Sequence, residues 1–115
     1  MIDHAREQTK AWAIAFDERH QGARDPVLLR RIVRDEQRAP GADPLGRLSR
    51  AMAALDFALF VTALLHYAGD GTARDKWVLA QRISGEEMSR REYWNKLDRV
   101  HHFLAGVLFD AGSTR

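Results

Sequence analysis

The sequence predicts an all-α fold, a small bundle of about five helices. Three observations point there. Apolar residues recur at helical spacing in five separate stretches. Each stretch is bounded by residues that start or stop helices. No run alternates polar and apolar residues strictly enough to build a strand, and no internal repeat appears. A length of 115 residues suits one domain that can bury a core without staples.

The first helix is expected from about Asp3 to His20, with Asp3 as its cap and Ala5, Trp12, Ala15, Phe16 and Arg19 near one stripe. Gly22 suits the left-handed position that ends it. Asp25-Pro26 starts the second helix, because the first helical N–H has no intrahelical acceptor and proline loses nothing there. Val27, Leu28, Leu29, Ile32 and Val33 supply its apolar stripe through about Arg38, so residues 1–38 read as a helical hairpin. Residues 39–46 hold two of the three prolines and two glycines and read as a loop.

Residues 47–112 complete one compact unit. The longest pattern runs from about Arg47 to Tyr67, with Leu48, Met52, Leu55, Leu59, Thr62, Ala63 and His66 in one stripe. Phe57, Phe60, Val61, Leu64 and Leu65 lie on its other faces, and a helix apolar nearly all round is packed on several sides. Gly69-Asp70-Gly71 ends it, and Thr72 caps a short helix bearing Trp77, Val78, Ala80 and Ile83. After a turn at Ser84–Met88, Ser89 caps the last helix, with Glu92 three residues on as a capping box requires. That helix should reach about Asp110, with residues 111–115 fraying. Tyr93, Leu97, Val100, Leu104 and Leu108 form its inner stripe; Arg91, Asn95, Arg99 and His102 lie opposite. The aromatics Trp12, Phe16, Phe57, Phe60, Trp77, Tyr93, Phe103 and Phe109 are expected mostly in the core.

Composition excludes several classes. Apolar residues make up 45% and charged residues 30%, as in an ordinary globular chain. There is no cysteine, hence no disulfide framework and no thiolate metal site. The first residues are polar and unlike a signal peptide, and the longest apolar run, Phe57 to Leu65, is far short of the roughly 20 residues that span a bilayer. A cytoplasmic protein without membrane contact is expected. Net charge is only +2 although the pI is about 9.4. Eight arginines against four carboxylates between Arg19 and Arg50, and seven Lys/Arg against five Asp/Glu between Arg74 and Arg99, make patches and no basic blanket.

Catalytic signatures are lacking. His101 and His102 are neighbours and diverge on a helix, and no histidine pair sits at i,i+4. Asp35-Glu36 and Glu86-Glu87 also diverge, and both pairs read as exposed. Gly69-Asp70-Gly71-Thr72 is a helix stop, not a phosphate loop, and Ser49, Ser84 and Ser89 lack a nucleophile's context. The expectation is no enzyme, no metal and no cofactor.

Two short helical segments, the second basic and exposed, read as a C-terminal helix-turn-helix. Its bland counterpart is an amphipathic bundle helix with a solvated face. Leu65 to Thr72, Trp77 to Ile83, Met88 to Tyr93 and Leu97 to Leu108 resemble region four of sigma factors. They resemble still more the sigma-four-like module of phage late-gene antiterminators and activators. The shared order is an apolar helix ending in Tyr and Gly, a short helix with a central Ala, a Ser-capped recognition helix and a Leu-rich tail. The resemblance covers about Leu55 to Leu108; it departs at the long acidic turn Ser84–Met88 and at Glu92. It implies binding to double-stranded promoter-proximal DNA alongside RNA polymerase, with Arg90, Arg91, Trp94, Asn95 and Lys96 facing DNA. Outward spacing adds Arg99 to that set. A homodimer is expected too, since one recognition helix covers few base pairs, and Phe103 or Trp94 could serve the contact. The competing reading is a small protein–protein inhibitor or adaptor, gripping an acidic partner through Arg30, Arg31, Arg34 and Arg38 and the last helix.

Overall fold

A computed structural model of the chain describes residues 2–40 and 46–113. The described residues form six helices and no strand: α1 (Ile2–Arg19), α2 (Pro26–Arg38), α3 (Gly46–Ala53), α4 (Phe57–Ala68), α5 (Ala73–Ser84) and α6 (Arg90–Ser113). The tip of the 39–46 loop, at residues 41–45, lies outside the described residues, as does the Phe109 side chain. The last helix continues to Ser113, beyond the expected end near Asp110.

The single long helix expected over Arg47–Tyr67 is two helices, which makes six instead of five. At the corner the Ala54 N–H is shared between Arg50 O and Ala51 O, and Leu55 N–H bonds Met52 O at 3.1 Å. The ladder has tightened to i→i−3, which closes a helix. Asp56 then adopts extended backbone and α4 starts afresh. The physical reason is coverage. A straight helix over those 21 residues would be about 30 Å long, and its apolar groups on several faces could not all meet a partner. Breaking it buries Leu48 and Met52 of α3 and the whole run Ala58–Leu65 of α4. Gln37 of α2 seals the corner, donating from Nε2 to Leu55 O at 2.6 Å and to Ala53 O at 3.4 Å.

α4 is the central helix, in contact with α1, α2, α5 and α6. α1 presents Ala5, Thr9, Trp12, Ala13 and Phe16 to it and to α6. Thr9 escapes the cost of burying a hydroxyl by donating to Ala5 O at 2.6 Å. Trp12, Phe16 and Phe60 form an edge-to-face cluster, with Phe60 at 4.9 Å from Trp12 and 5.6 Å from Phe16 between ring centroids.

Two expectations fail in α2. Its buried stripe is Leu29, Val33 and Glu36, while Val27 is 71% exposed and Leu28 also faces out. The first turn of α2 overhangs the core, so only residues from Leu29 onward find a neighbour. Glu36 is buried, not exposed, because the Arg19 guanidinium at the end of α1 meets it at 3.1 Å.

The N-terminal hairpin also closes the ends of later helices. Arg24 bonds Ala68 O at the end of α4 at 2.8 Å, while pairing with Asp17 at 2.7 Å and Asp70 at 3.1 Å. Arg30 of α2 bonds Ile83 O and Arg82 O at the end of α5, at 2.9 and 2.7 Å. The last carbonyls of a helix have no intrahelical donor and carry its negative pole, so both guanidinia sit where a cation is favoured. No described helix is long and apolar enough to cross a membrane.

Candidate nucleic-acid interface

The segment from Thr72 to Leu104 is set by its caps. Thr72 Oγ1 accepts from Asp75 N–H at 3.2 Å and the Asp75 carboxylate accepts from Thr72 N–H at 2.9 Å, a complete capping box. The Thr72 backbone and hydroxyl bonds hold the Asp75 carboxyl below its ordinary pKa. α5 ends at Gly85, whose φ of 74° lies in the left-handed region. At Ser89 the hydroxyl accepts from Glu92 N–H at 3.1 Å; among the described bonds the full box forms at Thr72 and not at Ser89.

The long turn between α5 and α6 is held from one side of α5. Trp77 and Gln81, four residues apart, grip both backbone polar groups of Met88: Trp77 Nε1 donates to Met88 O at 2.7 Å, and Met88 N–H donates to Gln81 Oε1 at 3.0 Å. Met88 itself is buried. This clamp fixes where α6 begins.

Beyond it, Tyr93, Leu97, Val100, His101 and Leu104 are buried and hold α6 against the core. His101 borders the core and His102 is exposed, as expected. Tyr93 OH meets His66 Nδ1 at 3.0 Å, and His101 Nε2 meets Tyr67 OH at 2.6 Å. Burial raises the Tyr93 phenol and lowers His66, to about 4, with the nearby charges of Lys76 and His101 adding to the fall. His66 is therefore neutral near pH 7. Its backbone oxygen takes the Lys76 ammonium at 2.9 Å.

The six residues expected to face DNA are all on the first half of α6 but point three ways. Arg91, Asn95 and Arg99 share the exposed outer face, together with Glu92 and Asp98, which balance the two arginines. Arg90 and Trp94 turn toward the start of α5, where with Thr72, Arg74, Trp77 and Tyr93 they line a cleft of about 400 Å³. Trp94 is held edge-on to His66 (5.4 Å) and Tyr93 (5.4 Å) and stays 40% exposed. Lys96 lies on the opposite flank, its side chain mostly covered and its ammonium 4.0 Å from Glu86. The sequence reading missed Arg74 and the clamp pair. The i,i+4 spacing of Trp77 and Gln81, both with a side-chain hydrogen-bonding group, was the available signal.

In the second basic patch Arg31, Arg34 and Arg38 stay exposed along α2, and only Arg30 is drawn away from them. Arg30 is engaged at the end of α5, Arg34 stacks over Phe57 at 4.5 Å, and Arg38 pairs with Asp35 at 2.7 Å; Arg31 is exposed. Among the described residues no three His, Asp or Glu side chains converge as a metal site. No known protein family, characterised protein or solved structure matches the chain.

Proposed function

We propose that the protein is a DNA-binding transcription regulator of the phage late-gene activator or antiterminator type, with α5 and α6 as the two helices of a helix-turn-helix. The observation that carries this reading is the outer face of α6. Arg91, Asn95 and Arg99 stand exposed on a helix whose start is clamped at Met88 and whose opposite face is buried. None of the three has a hydrogen bond or ion pair among the described residues. A rigid helix with unengaged Arg and Asn side chains suits major-groove readout, in which Arg pairs with guanine and Asn with adenine.

Glu92 and Asp98 suit specificity better than raw affinity. They offset phosphate attraction everywhere, and a carboxylate in the groove can accept only from the amino groups of cytosine and adenine. With only Arg91 and Arg99 as cations on the outer face, the slope of log affinity against log salt should be shallow, about −2. Such a module gains from a second copy or from docking on RNA polymerase, and Phe103, 40% exposed beyond the DNA-facing half, is available to that contact.

Arg91→Ala combined with Asn95→Ala should keep the helical circular dichroism of the parent and lose sequence-selective duplex binding. An unmodified protein with no duplex affinity at about 50 mM salt, where phosphate contacts are strongest, would overturn the reading.

A further inference from the structure

The cleft between the starts of α5 and α6 is not explained by groove readout. Its walls combine two indoles, Trp77 and Trp94, with two guanidinia, Arg74 and Arg90. Its volume of about 400 Å³ falls in the range of sites that hold small organic molecules. Neither guanidinium donates a side-chain hydrogen bond among the described residues, although Arg74 lies near enough to the Asp75 carboxylate to help hold its pKa down. The helix end beside it is already closed, because Thr72 and Asp75 occupy each other's polar groups. An anion here would meet the two arginines and not the α5 amides.

We propose that this cleft seats one unstacked nucleotide, its base against Trp94 and its phosphate on Arg74 and Arg90. The chemistry is the ground for the choice. Flat aromatic surface beside guanidinium is how proteins hold single-stranded nucleic acid, since every base has a π face and every link a phosphate. An acidic peptide would use the arginines and leave the indoles idle. Trp94 is also ready for stacking: His66 and Tyr93 hold its ring edge-on while the residue stays 40% exposed, so little freedom is lost on binding. His66 is neutral near pH 7 and adds no competing charge at the back of the ring. Arg90 and Trp94 each adjoin a groove-facing residue, Arg91 and Asn95. A nucleotide in the cleft would thus be one flanking the duplex on α6. That strand source rests on the DNA reading; a free nucleotide is the other source of the same chemistry.

The test compares three probes by anisotropy and calorimetry: a blunt duplex, the same duplex with a short unpaired oligothymidine extension, and thymidine 5′-monophosphate. The extension should tighten binding about tenfold or more, the size of one base–aromatic stack. Trp94→Ala should abolish that gain, Trp94→Phe should keep part of it, and Arg74→Ala should reduce it and flatten the salt slope by about one. The proposal stands with a strand source if the extension tightens binding and the monophosphate does not compete. It stands with a free-nucleotide source if the monophosphate binds and Trp94→Ala removes that binding, even where duplex affinity is nil and the DNA reading fails. It falls, leaving the DNA reading intact, if duplex binds but neither the extension nor the monophosphate adds anything. It falls also if the gain survives unchanged in both Trp94→Ala and Arg74→Ala.

Discussion

The Met88 clamp makes a quantitative claim that a double-mutant cycle can check. Trp77→Phe removes the Nε1–H that reaches Met88 O at 2.7 Å, and Gln81→Leu removes the acceptor for Met88 N–H at 3.0 Å. An ordinary hydrogen bond is worth about 1 kcal/mol net, but stranding a buried backbone group costs about 1–3 kcal/mol. Met88 is only 4% exposed, which favours the upper part of that range. Losing the fused ring of the indole adds about 1 kcal/mol, from roughly 40 Å² at 25 cal/mol per Å². Trp77→Phe should then cost about 3 kcal/mol and Gln81→Leu about 2 kcal/mol. At about 4 °C per kcal/mol for a domain of this size, the first should lower Tm by about 12 °C. The two losses should not add. Once one bond is gone the turn can shift into water and rescue the other group, so the double variant should fall short of the sum by about 1 kcal/mol. Urea unfolding of the four proteins measures every term. Single losses under about 0.5 kcal/mol, or additivity within about 0.3 kcal/mol, would mean the two bonds do not act on one turn.

Two further perturbations probe the core and the buried histidine. Phe60→Ala should cost about 3–5 kcal/mol, since Phe60 is fully buried and closes the Trp12–Phe16 cluster; a loss below about 2 kcal/mol in chemical denaturation would show that the cluster repacks. Folding lowers the His66 pKa from 6.5 to about 4. Above pH 6.5 both states are neutral and nothing is lost; between pH 6.5 and 4 the unfolded chain binds a proton that the folded one refuses, so stability falls with falling pH. The slope from this group cannot exceed about 1.4 kcal/mol per pH unit, and His66→Gln should flatten the curve in that window, leaving the smaller parts from His20 and His101, lowered for the same reason. An unchanged curve would show that His66 is solvated.

What could be read from sequence was what depends on neighbours along the chain. The Asp25-Pro26 start, the Thr72 cap, the Ser89 hydroxyl and the Tyr93/Leu97 anchor are local patterns, and each is where spacing put it. The corner at Ala54–Asp56 was not legible, because no Gly or Pro marks it; the break comes from the need to cover α3 and α4 separately, and Gln37 that seals it lies in another helix. Glu36 looked exposed because its partner, Arg19, is 17 residues away. On α6 the spacing identified the outer face, and the resemblance added Arg90, Trp94 and Lys96 to the DNA-facing set. Which flank each one serves depends on Arg74 and Glu86, contributed by α5 and by the turn.

Arg24 and Arg30 carry a consequence for how this protein can be inherited and recombined. Each guanidinium leaves the N-terminal hairpin to close the carbonyl end of a later helix, at Ala68 and at Arg82–Ile83. Exchanging the N-terminal hairpin for another of similar bulk would therefore remove both contacts. A chimera that transplants α4–α6 onto a foreign N-terminus must bring two cations to two fixed addresses, or carry exposed helix ends where this chain has closed ones. Lineages that shuffle these segments should do so as a single cassette, with both arginines travelling in it.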